Sequence, residues 1–210
     1  MVTVSSPVWS TQQATLRAWR RGQSGHWHLV RGPLSVVIGY HGWVRGAQRV
    51  QSTGTTPAGR YRLPYAFGRL ADPGAEIAYR RFDTSDWWPY EPRDPATYNV
   101  WQWHKAATSR WRRDKAEHLW DYQDQYAYGV VIGFNLPAGI HYSHRRGQWV
   151  ADQRADTRRG GGIFLHVRGS GATAGCVAMR RAQLRWLIRW LSPTAHAQIV
   201  MGPYRYLTTL

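Results

Sequence analysis

Cysteine is almost absent from this 210-residue chain: Cys176 is the only one, which excludes an intrachain disulfide framework. Acidic residues are few, 12 Asp and Glu against 28 Lys and Arg. The resulting net charge of +16, almost all of it from arginine, excludes an acidic or charge-balanced surface. No window of 18 or more apolar residues occurs, so no segment reads as a membrane-spanning helix. The opening MVTVSSPVWS has neither a basic nor an apolar leader region, so no signal peptide is visible there. Internal repeats and low-complexity segments are also missing.

Tryptophan, by contrast, is abundant, with 13 in the chain. Trp87-Trp88-Pro89-Tyr90 and Trp101-Gln102-Trp103 lie in Pro- and Asp-rich surroundings that read as loop. Two readings stay open for them: exposed platforms for sugars or peptides, or buried anchors of a long loop. The positive balance favours a polyanionic partner. Zinc-finger, RNP-type and basic-zipper patterns are missing, so no specific nucleic-acid module is expected. The basic clusters Arg110–Lys115, Arg145-Arg146 and Arg158-Arg159 read as a solvated face.

Short runs rich in β-branched and aromatic residues, punctuated by Gly and Pro, predict an antiparallel sheet through the first 63 residues. A buried strand is predicted over Tyr126–Phe134 and a final one over Ala197–Met201. Leu184, Leu187, Ile188 and Leu191 recur at helical spacing, predicting a core-packing helix over Arg181–Leu191 before Pro193. The expected fold class is mainly β with a few short helices, one near the C-terminus. One domain over residues 1–210 is expected, with insertions near 80–125 and 138–161. Trp111–Gln125 reads as a short helix or a turn-rich segment. Ala138–Gly161 reads as the least structured stretch, a lid or substrate flap. His141 and His144 within it read as surface residues, and no metal site is expected.

The chemistry concentrates in GIFLHVRGSGATAGCVAMR, Gly162–Arg180. An apolar run, Ile163-Phe164-Leu165, delivers His166, and ten residues later a Gly-rich turn delivers Cys176. A thiol requires a base to act as a nucleophile at neutral pH, and imidazole is the usual one. A buried structural cysteine and a satisfied strand-end histidine are the bland alternative. Gly169, Gly171 and Gly175 clear space around the thiol, and the N–H groups of Gly175 and Cys176 are candidates to face an oxyanion.

Thr173-x-Gly175-Cys176-Val177 after an upstream histidine resembles the active-site signature of the L,D-transpeptidase (YkuD-type) catalytic domain, in a divergent branch. Thr56-Pro57-Ala58-Gly59-Arg60-Tyr61 is similar to that family's first strand motif, in the expected order. The chain departs from the pattern at Ala174, where the family usually has histidine, and at Ala178, where many members have Arg or Asn. The resemblance implies a β-sandwich or barrel-like catalytic fold and cysteine-dependent acyl transfer on peptidoglycan stem peptides. Cross-links would form with release of D-Ala. L,D-carboxypeptidase activity, or a non-catalytic wall-binding role, are its alternatives.

It further implies Cys176 as nucleophile and His166 as base, oriented by the Val167 carbonyl. Thr173 and Gly175 would order the loop and the oxyanion site. Arg180, Trp87, Trp88, Tyr98 and Asn99 are candidate substrate contacts, with Asn135 behind them. No metal or organic cofactor is implied. Partners are stem peptides and anionic envelope polymers, and a monomer is expected. The implied location is secreted, periplasmic or envelope, with a leader removed ahead of Met1.

Overall fold

The computed structural model describes residues 1–103 and 111–210. Arg110, part of one predicted basic cluster, lies outside the described residues. The strands are β1 (Val2–Ser6), β2 (Gln13–Arg21), β3 (Trp27–Val37), β4 (Trp43–Arg45), β5 (Thr56–Arg62), β6 (Ala66–Gly68), β7 (Tyr79–Arg81) and β8 (Trp87–Pro89), followed by β9 (Ala116–His118), β10 (Gly129–Val131), β11 (Ala138–Ser143), β12 (Gln148–Gln153), β13 (Phe164–Val167), β14 (Val177–Met179) and β15 (Gln198–Pro203). Among the described residues two α-helices, α1 (Arg181–Trp190) and α2 (Tyr204–Leu207), follow β14 and β15 respectively. With 38% strand against 13% helix, the fold is mainly β, as expected.

Eleven strands form one sheet in the order β4-β5-β15-β1-β2-β3-β14-β13-β10-β6-β7. Most neighbours are antiparallel, but β13 and β14 run parallel, with Leu165 opposite Val177 and His166 opposite Ala178. Side chains alternate across a strand, so successive residues of β13 serve two different cores. Leu165 points to one side, where Val177, Met179 and Leu184, Leu187 and Ile188 of α1 pack. Phe164 points to the other, against Phe67, Trp88, Trp101, Leu119 and Tyr126. Cys176 packs against this second, aromatic core.

The segment over residues 80–125 supplies much of that aromatic layer, through Phe82, Trp88, Trp101 and Leu119. Within it, Trp111–Gln125 is turn-rich, with 3-10 turns at Arg113–Lys115 and Leu119–Tyr122 around the short β9. The predicted strand over Tyr126–Phe134 narrows to β10, because a 3-10 turn takes Gln125–Ala127. A larger correction concerns Ala138–Gly161. It is not a structureless flap: β11 and β12 form an antiparallel hairpin in which Tyr142 faces Trp149. That cross-strand aromatic pair, with ring centroids 5.6 Å apart, and Gly147 at φ 61 in the turn explain the regularity.

Candidate active site

The parallel register builds the site. Because Leu165 pairs with Val177, Cys176 falls beside Phe164, one step before β14 begins. His166 is two residues beyond Phe164 and therefore on the same face. Cys176 and His166 both line a cavity of about 460 Å³, together with Arg49, Tyr90, Glu117 and Tyr126. Gly129, paired opposite His166, leaves the neighbouring space to the Phe67 ring, which a Cβ there would meet at 2.5 Å.

His166 is 5% exposed, and its Nδ1 lies 2.8 Å from the Val167 carbonyl. A carbonyl only accepts, so Nδ1 carries the proton and Nε2 carries the lone pair. The Tyr126 ring meets the imidazole edge-to-face at 5.5 Å and fixes its plane. Burial lowers the imidazole to about 4, only partly offset by the hydrogen bond to Val167, so it is neutral at physiological pH.

Cys176 keeps a partial opening to the cavity. Its Sγ–H donates to the Gly162 carbonyl at 3.3 Å, and its sulfur accepts from the Phe164 N–H at 3.4 Å. Burial pushes the thiol up to about 12. The Phe164 N–H and the nearby Arg49 cation pull it down, and Glu117 pushes it further up. Thiol and imidazole are therefore both neutral at rest. Their proximity is one of a shared face and a shared cavity, with the thiol hydrogen directed at backbone.

The turn before the cysteine is tied by one hydroxyl. Thr173 Oγ1 donates to the Cys176 carbonyl at 2.7 Å and accepts from the Gly175 N–H at 3.1 Å. The Gly175 N–H is thus already engaged, which takes it out of the predicted pair of oxyanion donors. Gly175 has φ +139, and a Cβ there would lie 2.8 Å from the Thr55 carbonyl and 3.0 Å from Arg49 Nη2. Only glycine fits both the backbone and the space.

The remaining sequence candidates lie outside the cavity lining. Trp88 is 1% exposed in the aromatic core, and its Nε1–H donates to Asn99 Oδ1 at 2.8 Å. Trp87 stacks on His118 at 4.4 Å. Tyr98 is fully buried and donates to Gln51. The buried-anchor reading of these rings is therefore the one the packing follows. Arg180 is exposed at the start of α1.

Asn99 and Asn135 stand behind the site instead. Asn99 Oδ1 accepts from the Gly162 N–H at 2.8 Å, and its Nδ2 donates to the Asn135 carbonyl. Asn135 Nδ2 donates to the carbonyls of Asp156 and Gly160. Together they clamp Gly160–Gly162, the segment whose carbonyl receives the thiol. Both adopt positive φ, 59 and 49, which asparagine tolerates better than most residues.

Arg49, Glu117 and Tyr126 line the cavity without having been legible as site residues, and Tyr90 comes from one of the two tryptophan clusters. The hydroxyls of Tyr126 and Tyr90 both donate to the Glu117 carboxylate, the latter at 3.3 Å. Burial raises the Glu117 carboxyl and holds both phenols well above their ordinary range.

A mainly β protein whose sheet presents a thiol and an Nδ1-protonated imidazole to one cavity has the equipment for cysteine-based acyl transfer. The chain belongs to the YkuD family, the L,D-transpeptidase catalytic domain, whose description matches residues 8–200. That membership associates it with L,D-transpeptidase-family chemistry on peptidoglycan. Comparison with curated proteins and with solved structures gave no significant match. Among the described residues no helix is long and apolar enough to cross a membrane.

Proposed function

We propose that the protein is a cysteine-dependent L,D-transpeptidase of peptidoglycan stem peptides, working outside the cytoplasm. The observation that carries this reading is the shared cavity of Cys176 and His166, with Nδ1 of the imidazole committed to Val167. That hydrogen bond leaves Nε2 as the basic atom, which is the tautomer a general base needs. No cation, metal or acidic side chain has to orient the ring.

The neutral resting pair sets the order of proton movement. With the thiol near 12 and the imidazole near 4, a preformed thiolate–imidazolium pair is strongly disfavoured. The thiol turns from the Gly162 carbonyl toward Nε2 as substrate binds, and transfers its proton while sulfur attacks. The electrophile is the carbonyl between the L-centre of the third stem residue and the terminal D-Ala. Charge develops on the carbonyl oxygen, where the Cys176 N–H can donate. Collapse breaks the C–N bond, the imidazolium returns its proton to the leaving amine, and D-Ala departs from a thioester. An acceptor amine then attacks the thioester to form the cross-link and regenerate the thiol. Water in place of the amine would make the enzyme an L,D-carboxypeptidase.

The test is product analysis by mass spectrometry after incubation with a disaccharide-tetrapeptide. Cross-linked dimer with loss of D-Ala is expected from the wild type and not from Cys176→Ala. Tripeptide alone would establish the carboxypeptidase. Absence of any product from several stem peptides would overturn the catalytic reading in favour of wall binding.

A further inference from the structure

Among the described residues Arg49 has no counter-ion. It follows a 3-10 turn, Gly46–Gln48, and is only 5% exposed. Its Nε donates to the Thr55 carbonyl at 2.9 Å and its Nη1 to the Arg159 carbonyl at 2.7 Å. Nη2 makes no hydrogen bond among the described residues, and no carboxylate there forms an ion pair with this guanidinium. The contrast with Arg146 is informative: that partly buried arginine meets the buried Asp94 carboxylate at 3.0 Å. A buried charge without an opposite charge beside it is costly, and burial lowers the pKa of the Arg49 guanidinium.

Two carbonyls and the Phe134 ring, 5.6 Å from its Cζ, hold the guanidinium, and none of them neutralises its charge. Arg49 lines the same cavity as Cys176 and His166. Its Nη2 occupies the space beside Gly175, 3.0 Å from where a Cβ would stand, one residue from the nucleophile. Gly160 makes room for Nη1 in the same way, since a Cβ there would lie 2.2 Å from it. Among the described residues the one acid of the cavity wall, Glu117, is engaged by Tyr126 and Tyr90. Ala178, opposite His166 and 1% exposed, brings no charge to this face.

We propose that Arg49 is the anion anchor of the cavity, and that it makes the site read a free terminal carboxylate on the residue that leaves. This rests on the acyl-transfer reading above. In a peptide that loses only its last residue, the anion within one residue of the scissile carbonyl is that residue's α-carboxylate. A guanidinium N–H is well matched to it, as a charge-assisted hydrogen bond from a buried donor. The anchor would also enforce exo-specificity, because an internal peptide bond presents no such charge.

The experiment compares two tetrapeptide stems, one ending in free D-Ala and one in D-alaninamide, by calorimetric binding to the Cys176→Ala protein. The acid is expected to bind about 10-fold or more tightly than the amide. Adding Arg49→Gln should bring the two affinities together, and Arg49→Lys should restore part of the preference. Equal binding of acid and amide, a preference that survives Arg49→Gln, or no binding of either stem would overturn the anchor.

Because Arg49 also ties Thr55 to Arg159, Arg49→Gln could fail to fold. The acid-to-amide ratio with Arg49 intact and in Arg49→Lys then decides. The two proposals fail separately. Preferential binding of the acid without turnover by the wild type keeps the anchor and removes acyl transfer. Equal turnover of acid and amide keeps acyl transfer and removes the anchor.

Discussion

The Cys176 thiol points its hydrogen at the Gly162 carbonyl, 3.3 Å away, across the start of the parallel β13–β14 pair. That contact, with the Phe164 N–H on the sulfur, holds the thiol in its neutral form. Its reactivity toward simple electrophiles follows. With the thiol pushed up to about 12, the thiolate at pH 7 is on the order of one part in 10⁵. Haloacetamide labelling of the folded protein should be slow at pH 7 and should rise about tenfold per unit through the alkaline range. Labelling in denaturant should be fast at pH 8 to 9. Fast labelling of the folded protein at pH 6 would contradict the neutral resting state.

His166 governs the acid side. Burial holds its imidazole at about 4 in the folded protein, against 6.5 ordinarily. The unfolded chain therefore binds the extra proton first as pH falls, so stability is fully present above 6.5 and declines between 6.5 and 4. The loss from this one group is about 3 kcal/mol. His166→Asn should flatten that part of the stability profile, measured by denaturant unfolding at pH 4, 5, 6 and 7. In the active enzyme the acid limb of kcat/KM should fall near pH 4, well below a typical histidine limb.

Glu117 carries the opposite sign. Its carboxyl is raised by burial, so its contribution is present at low pH and is lost as pH rises through the folded value. Glu117→Gln keeps an acceptor for Tyr126 and removes the buried charge. The variant should equal or exceed the wild type in stability at pH 8, by urea midpoint. Tyr126→Phe, which removes a donor and leaves the carboxylate less satisfied, should cost about 1–3 kcal/mol. A large loss in Glu117→Gln at pH 8 would contradict this assignment.

Thr173 should matter through its hydroxyl alone. Thr173→Val keeps the shape and deletes both the bond to the Cys176 carbonyl and the acceptor for the Gly175 N–H. The expected cost is about 1–3 kcal/mol of stability and a lower kcat, with KM little changed. Thr173→Ser should restore both. Activity equal to wild type in Thr173→Val would show that the turn holds its form without the hydroxyl.

The parts of this molecule that were legible in the sequence are the local ones. His166, Thr173, Gly175 and Cys176 lie within eleven residues and share one strand–turn–strand unit, so their spacing carries their geometry. Helix α1 was legible because its apolar positions repeat at helical period. Arg49, Tyr90, Glu117 and Tyr126 come to the cavity from four separate segments, and only the sheet order and the overlying aromatic layer bring them together.

The β11–β12 hairpin was hidden by its Gly, His and Arg content, because its stabilising pair, Tyr142 and Trp149, is visible only once the register is known. Trp88 and Trp101 read equally as platforms or anchors in sequence. Their exposures of 1% and 3% decide for anchors.

The most direct test of the central claim is intact-protein mass spectrometry of an acid-quenched reaction with a stem tetrapeptide. An adduct equal to the stem minus D-Ala, carried by Cys176, is expected in the wild type and not in Cys176→Ala. Product release with no such adduct at any quench time, or the same adduct on Cys176→Ala, would contradict it.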